Sequence, residues 1–298
     1  MKTEWGWRNP SWKWNSTWRS ETNWGDLGLS SAMCATLQQL AKNSAQNHGA
    51  AKSTTEALRR RGFVDSVGSI TEPGLVAGLS VAPLRDQCSV LDIPVEVVQL
   101  QKRYNDPAVD GMYFFMGRGL RCSYEEGAVL RKILYCSYFH RLPELTKEGW
   151  KYFLEGMRAM SLAIGLGLFD FEDFVKDHTK IVDDLKEAIA TVARNEFQRN
   201  YRTLFPKGYC WFGAEENFVT QIFDSLGNER LAQIFGAILV DPYAFSLGWP
   251  DLTAIGDEDF QFIEVKENDK LTVSQLITIP AIKAANIPVK VLQVFRTL

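Results

Sequence analysis

The sequence has few of the residues that build disulfide frameworks and zinc sites. Its five cysteines are an odd number, scattered and without a C-x-x-C pair, and its three histidines are isolated. This pattern argues against a disulfide framework and against a zinc site. The sequence also lacks a signal peptide and any apolar run long enough to span a bilayer. We therefore expect a cytoplasmic protein with no membrane partner.

Excess positive charge, the usual mark of a nucleic-acid binder, is absent as well. The formal net charge is −3 over 298 residues. The charge is unevenly distributed, however: residues 212–298 hold 6 Lys and Arg against 12 Asp and Glu, which leaves 27 against 24 for residues 1–211. An acidic module that needs cations could be carried to a polyanion by a more basic region of the same chain.

The most informative stretch lies between Gly248 and Gln275. Strand-type apolar residues flank a turn-like acidic stretch at residues 256–259, and this pattern predicts a β-hairpin. Asp251 then lies early in the first strand and Glu264 late in the second, so that antiparallel pairing would bring them side by side. The period of two along a strand puts Glu264 and Lys266 on one face.

Two carboxylates this close repel each other unless a cation lies between them. Hard oxygen ligands with no nearby His or Cys favour Mg²⁺ or Mn²⁺ over zinc. A lysine beside such ions can hold or polarise the attacking water, and it can offset the charge that builds on a phosphate in the transition state. Asp251, Glu264 and Lys266 therefore predict a metal-dependent site for phosphodiester hydrolysis.

The same residues carry a family resemblance. Pro250-Asp251, followed thirteen residues after the aspartate by Glu264-Val265-Lys266, resembles the PD-(D/E)xK nuclease signature. The continuation through Asn268-Asp269, Leu271 and Gln275 resembles the VRR-NUC (virus-type replication-repair) nuclease family, which includes the nuclease module of the Fanconi-associated nucleases. The resemblance covers roughly residues 209–298. This sequence has one residue fewer between Lys266 and Leu271 than the family motif. It implies a restriction-endonuclease-like α-β-β-α-β core with a mixed sheet.

Further site residues are implied by the resemblance. In the family, a glutamate on the first helix of the module completes the metal site; the match selects Glu215 and leaves Glu216 as the alternative. The main-chain carbonyl of Val265 is implied as another metal ligand. Gln275, in the first turn of a helix capped by Thr272, is implied to help place water or phosphate. The alternative for Gln275 is a polar residue in an exposed first turn.

Upstream of the module, which we place at residues 208–298, the sequence predicts a mostly α-helical region. Residues 1–29 form an arm with six of the nine tryptophans, which suits either a stacking surface for unpaired bases or a cover for apolar surface on the main body or a second subunit. Residues 30–147 are mainly helical, with a short strand predicted at residues 112–116. In residues 148–207 the spacing of the apolar residues predicts two long amphipathic helices.

Within residues 30–80, the predicted order helix, helix, hairpin, helix resembles a winged helix. Ser53-Thr54-Thr55-Glu56 resembles a capping signal for the second helix. In this interpretation the basic residues near the two ends of that helix contact DNA phosphates. They are Lys52, Arg59, Arg60 and Arg61. The alternative is a solvated basic helix end, which the helix dipole favours.

The sequence thus predicts a Mg²⁺- or Mn²⁺-dependent deoxyribonuclease. Glu215, Asp251 and Glu264 would bind metal, Lys266 would orient water, and Gln275 would support them. From the resemblance we expect structure-selective cleavage of flapped, branched or junction DNA in replication, repair or recombination. Two alternatives stay open: a duplex-DNA endonuclease of a host-defence system, and a catalytically retired nucleic-acid-binding protein. A homodimer is also compatible with the sequence.

Overall fold

The computed structural model describes residues 28–42, 50–124, 127, 129, 130, 133, 136, 137, 187, 189–204, 216–240, 248–256 and 260–297. The chain divides into two compact units. The first comprises residues 1–96, 243–248 and 268–280. The second comprises residues 97–242, 249–267 and 281–298. Both units are therefore assembled from segments that lie far apart in the sequence.

In its described part the first unit contains four short helices before residue 91: α1 (Ser31–Lys42), α2 (Lys52–Arg60), α3 (Glu72–Ser80) and α4 (Leu84–Val90). Between α2 and α3, Val64 and Ile70 form an isolated antiparallel bridge. The predicted order helix, helix, hairpin, helix is therefore confirmed, with the hairpin reduced to one bridge. The apolar side chains of these elements form one core, made of Leu37, Leu40, Leu58, Phe63, Val64 and Ala77.

The predicted capping signal of α2 is wrong. The helix begins at Lys52 with Ala51 as N-cap, and no side chain caps it. The backbone N–H groups of Thr54 and Thr55 bond instead to the Ala51 carbonyl, which places the Ser-Thr-Thr run inside the first turn. α3 does have a side-chain cap, because Thr71 Oγ1 accepts a hydrogen bond from the Gly74 N–H at 3.2 Å.

The second unit is built on a five-stranded mixed sheet. Its strands are β1 (Val95–Gln101), β2 (Arg121–Tyr124), β3 (Leu252–Ile255), β4 (Phe260–Lys266) and β5 (Val289–Thr297), in the order β1-β5-β4-β3-β2. β3 pairs antiparallel with both β2 and β4, whereas β4 and β5 are parallel. The predicted hairpin and the mixed sheet are confirmed, and β1 and β2 are strands that the sequence did not reveal.

Four further helices complete the described elements: α5 (Pro107–Met116), α6 (Arg194–Leu204), α7 (Glu216–Val240) and α8 (Val273–Ala284). α7 is interrupted at Gly227, where φ is 69°. α8 begins in the first unit and ends in the second. The order α7-β3-β4-α8-β5 is the α-β-β-α-β core that the resemblance implied.

The strand predicted at residues 112–116 is wrong, since these residues form the second half of α5. Asp106 caps this helix by accepting a hydrogen bond from the Ala108 N–H at 2.9 Å, and Pro107 occupies the first position. Five apolar residues in a row have no period that separates a buried helix from a strand. The cap at Asp106 was the signal that could have decided between them.

One face of the sheet packs against α5. The core on this face takes residues from α5 and from β3, β4 and β5: Ala108, Phe115, Leu252, Ala254, Ile263, Val265, Leu292 and Val294. Because side chains alternate along a strand, Glu264 and Lys266 lie on the opposite face. The sheet thus separates an apolar core from the face that carries the predicted chemistry.

The cysteines within the described residues, Cys34, Cys88, Cys122 and Cys136, carry thiols rather than disulfides. Burial raises the pKa of the Cys88 thiol to about 11, so this side chain is a neutral packing residue. Over the same residues, no helix has both the length and the apolar character needed to cross a membrane.

Candidate active site

The strand register brings the two predicted carboxylates together. Leu252 pairs with Ile263, so the preceding residue, Asp251, lies across from Glu264 at the end of the hairpin. The Val265 N–H donates a hydrogen bond to Asp251 Oδ2 at 2.8 Å, which fixes the half-buried aspartate against β4. The predicted placement of Asp251 beside Glu264 is therefore confirmed.

Glu264 and Lys266 form a buried ion pair on the same face. Lys266 Nζ lies 2.8 Å from Glu264 Oε1, and the two side chains are only 6% and 1% exposed. Replacing a buried ion pair by apolar residues is often neutral or stabilising, so stability alone does not account for this one. A buried ammonium held against a carboxylate is also compatible with the chemical role that the sequence predicts.

The donor set suits a hard divalent cation. Asp251 and Glu264 offer carboxylate oxygens from adjacent strands, the ligands that Mg²⁺ and Mn²⁺ prefer. Glu264 Oε2 is also buried, and it accepts no hydrogen bond from the described part of the chain. Within the described residues, no group of three or more His, Cys, Asp and Glu side chains forms a metal cluster. The predicted third acid, Glu215, lies outside those residues.

Glu216, the alternative to Glu215, is the first described residue of α7 and is held by α6. Arg202 Nη2 lies 2.8 Å from Glu216 Oε1, and Arg202 Nε donates to the same oxygen at 2.9 Å. Hydrogen bonding to Glu216 raises the pKa of the Arg202 guanidinium. The Glu216 carboxylate therefore has a structural partner, and the choice of Glu215 as metal ligand stays a prediction.

Gln275 belongs to the first unit, whereas Asp251, Glu264 and Lys266 belong to the second. It forms a capping box with Thr272: the Thr272 N–H donates to Gln275 Oε1 at 2.9 Å, and the Gln275 N–H donates to Thr272 Oγ1 at 3.3 Å. The residue is buried, so its assignment to an exposed first turn is wrong. Its role in placing water or phosphate stays a prediction, as does that of the Val265 carbonyl.

Two contacts within the first unit fix the chain on either side of the hairpin. The fully buried Gln87 bonds both backbone groups of Leu271: its Oε1 accepts from the Leu271 N–H at 2.8 Å, and its Nε2 donates to the Leu271 carbonyl at 3.2 Å. Gly248 has φ of 82°, and a Cβ there would lie 2.2 Å from the Ser274 carbonyl. Glycine is therefore required at position 248, because the backbone of Ser274 lies too close for a side chain.

An ion network that the sequence did not reveal lies directly after Lys266. Arg296 on β5 binds Glu267 through two hydrogen bonds, of 2.8 and 2.6 Å, and its Nη1 lies 3.3 Å from Asp110 on α5. Nη1 also donates to the carbonyls of Tyr104 and Asn105. These bonds tie the end of β4 to β5 and to the loop before α5.

The Arg296 hydrogen bonds hold the pKa of Glu267 below its ordinary value of 4.5, with a smaller contribution from Lys102. A carboxylate whose pKa is lower in the folded than in the unfolded protein stabilises the fold at any pH above its unfolded-state pKa. This stabilisation is lost as the pH falls through its folded-state pKa. We expect the stability difference between the parent and Glu267→Gln to be constant from pH 7 to about 5 and to shrink below about 4.5. Urea unfolding at each pH measures it, and a difference independent of pH would disprove the effect.

The four basic residues assigned to DNA contacts all lie in the first unit. Arg59 is engaged locally, since its Nη1 lies 2.6 Å from Glu56 Oε2 and its Nε donates to the Asp65 carbonyl at 3.1 Å. Lys52, Arg60 and Arg61 are exposed. Their contact with phosphates stays a prediction. Nearly all of the Trp-rich arm and most of residues 148–207 lie outside the described residues.

The mixed sheet carries paired acids and a lysine at the end of its central strand, which is the arrangement that the PD-(D/E)xK resemblance implied. Residues 185–296 match the family model of the VRR-NUC domain. This part of the chain is similar to VRR-NUC domains, as the resemblance implied. The match begins upstream of residue 208 and includes α6.

Solved structures share the fold over most of the chain. Two are crystal structures of paFAN1, bound to 5′-flap DNA with a gap and a flap of 2 or 1 nucleotides. Each has a TM-score of 0.50 and 16% sequence identity, and the match covers 83% of this chain and 46% of that one. The chain therefore spans less than half the length of these neighbours. No curated protein matches its sequence.

Proposed function

We propose that this protein is a metal-dependent nuclease that hydrolyses phosphodiester bonds in DNA. The observation that carries the proposal is the register of β3 and β4, which sets Asp251 opposite Glu264, with Lys266 Nζ 2.8 Å from the Glu264 carboxylate. The VRR-NUC match over residues 185–296 supports the same chemistry. The presence of Asp251, Glu264 and Lys266 disfavours a retired nuclease.

Each residue has a distinct role in this proposal. Asp251 and Glu264, together with Glu215 and the Val265 carbonyl, would hold Mg²⁺ or Mn²⁺. When bound, the metal supplies a Lewis acid and lowers the pKa of a water molecule. The Val265 N–H keeps Asp251 oriented. The Lys266 ammonium orients water and offsets the negative charge that develops on the phosphate, and burial strengthens this effect. Gln275 would assist in placing water or phosphate.

For the substrate we propose DNA with a flap, branch or junction, cut near the boundary between single and double strands. The support is the fold shared with paFAN1 over 83% of the chain, because that protein was crystallised with 5′-flap DNA. The shared part extends beyond the VRR-NUC match, so it includes elements of the upstream region. A role in replication, repair or recombination follows from this substrate class.

A panel of end-labelled DNA structures tests the proposal. Single strands, duplex, 5′ flap, 3′ flap, fork and four-way junction are each incubated with the full chain and Mg²⁺ or Mn²⁺, and the products are separated on a denaturing gel. We expect cleavage of the flapped or branched forms that EDTA abolishes. Preferential cutting of plain duplex would favour the host-defence alternative. Tight binding with no metal-dependent cleavage of any substrate would contradict the proposal.

A further inference from the structure

The sheet face that carries Glu264 and Lys266 opens to solvent toward the carboxyl end of β5. Val291, which pairs with Glu264, is buried. Gln293, which pairs with Lys266, is partly exposed, and Phe295, two residues further along on the same face, is 49% exposed. The buried ion pair therefore lies where the covered part of this face ends.

The edge strand β1 extends this open area. Val98 and Leu100 pack against the core on the α5 side. The period of two therefore places Val97 and Gln99 on the opposite face, which carries Glu264 and Lys266. Val97 is 60% exposed. The Lys102 N–H donates to the Thr297 carbonyl at 2.8 Å, which holds the carboxyl ends of β1 and β5 side by side. We refer to Gln293 and Phe295 of β5 with Val97 and Gln99 of β1 as the open strip.

The open strip is continuous with the candidate active site. Phe295 is one strand and two residues away from Lys266, about 8 Å by the usual spacing of strands and of residues along them. This distance is comparable with that between a phosphate and the base of its own nucleotide. Because the Glu264 and Lys266 side chains are almost fully buried, the exposed neighbours on their own face are the groups that an approaching strand meets first.

The chemistry of the open strip matches one kind of occupant. An exposed phenylalanine offers a flat apolar surface to a base, and base–aromatic stacking tolerates any sequence. The glutamine amides can both donate and accept hydrogen bonds at a base edge or a phosphate. A paired base keeps its faces covered by its neighbours in the duplex, so a surface of this kind selects an unpaired base.

We propose that the open strip is the binding site for an unpaired base of the DNA strand next to the scissile phosphate. Phe295 stacks on the base, Val97 packs against its sugar or ring, and Gln293 and Gln99 bond its polar edge. This inference rests on the nuclease function proposed above and adds to it the group that recognises the single-stranded side of the substrate.

The test uses flap DNA with 2-aminopurine at successive positions of the unpaired arm, since stacking quenches this fluorescent base. The full chain is titrated with each DNA in Ca²⁺, and a gel of the same samples checks that the DNA is intact. The variants are Phe295→Ala, Phe295→Tyr and Tyr113→Ala. Tyr113 is the matched control, an aromatic residue of similar exposure (44%) on α5, at the other face of the sheet. Light scattering gives the oligomeric state of each protein.

We expect the parent and Phe295→Tyr to quench one position near the cut, and Phe295→Ala to lose the quench with about tenfold weaker binding. Tyr113→Ala should follow the parent. Unchanged quenching and affinity in Phe295→Ala would overturn the inference. So would a dimeric parent that Phe295→Ala makes monomeric, because the occupant would then be a second copy. Cleavage by the parent is measured in parallel: its absence would refute the nuclease function, whereas an active parent with an unaffected Phe295→Ala refutes the open strip alone.

Discussion

Asp251→Asn is expected to lower the single-turnover rate of DNA cleavage by about 100-fold or more. Asparagine keeps the size of the side chain, and its carbonyl can still accept the Val265 N–H that binds Asp251 Oδ2 in the parent. The substitution removes the negative charge that faces Glu264, and with it the main attraction for a divalent cation. Mn²⁺ titration should therefore show weaker metal binding alongside the lost cleavage.

The matched control for this prediction is Asp224→Asn on α7. Asp224 pairs with Arg194 at 2.9 Å on the surface, so the same change of residue leaves the candidate site untouched. This variant should cleave and bind Mn²⁺ as the parent does. If Asp251→Asn kept the parent's rate and Mn²⁺ affinity while remaining folded, Asp251 would not be a metal ligand.

Arg296→Ala is expected to destabilise the protein by about 3–5 kcal/mol, the usual cost of removing one partner from a buried charge pair. The side chains of Arg296 and Asp110 are only 6% and 3% exposed. Without the guanidinium, Asp110 is left buried beside a second carboxylate, Glu267. Two main-chain carbonyls also lose their donor. Urea unfolding at pH 7 measures the change in the free energy of unfolding.

Arg194→Ala provides the comparison, since Arg194 also binds a carboxylate but is 58% exposed. Exposed pairs contribute at most about 1 kcal/mol, so this variant should unfold close to the parent. Equal losses for Arg194→Ala and Arg296→Ala would show that burial of the network does not matter. A stable Arg296→Ala protein would mean that Asp110 and Glu267 relax into water when the arginine is removed.

The candidate site could be predicted in large part because its described members are close in sequence. Asp251 and Glu264 are thirteen residues apart and are joined by one hairpin, so local strand patterns were enough to place them side by side. Lys266 followed from the alternation of a single strand. The capped helix α8 was predictable for the same reason, since Thr272 and Gln275 lie within one turn.

The rest of the second unit depends on contacts between distant segments, which local patterns do not encode. Arg296 and Asp110 form a hydrogen bond although they are 186 positions apart in the sequence, and no periodicity of either segment predicts this pair. β1 has apolar residues on both faces, Val95 and Val97 on one and Val98 and Leu100 on the other, so no period of two runs through the whole strand. The open strip could not be predicted from the sequence either, because it forms only where β1 and β5 lie side by side.

The most direct test of the central claim compares the parent with Lys266→Gln in single-turnover cleavage of the best DNA substrate, with Mg²⁺ or Mn²⁺. Glutamine can still donate a hydrogen bond to Glu264, so the fold and metal binding should survive while the positive charge is lost. The proposed chemistry predicts that Lys266→Gln binds DNA and Mn²⁺ like the parent but cuts about 100-fold more slowly. Cleavage by Lys266→Gln at the parent's rate would contradict it.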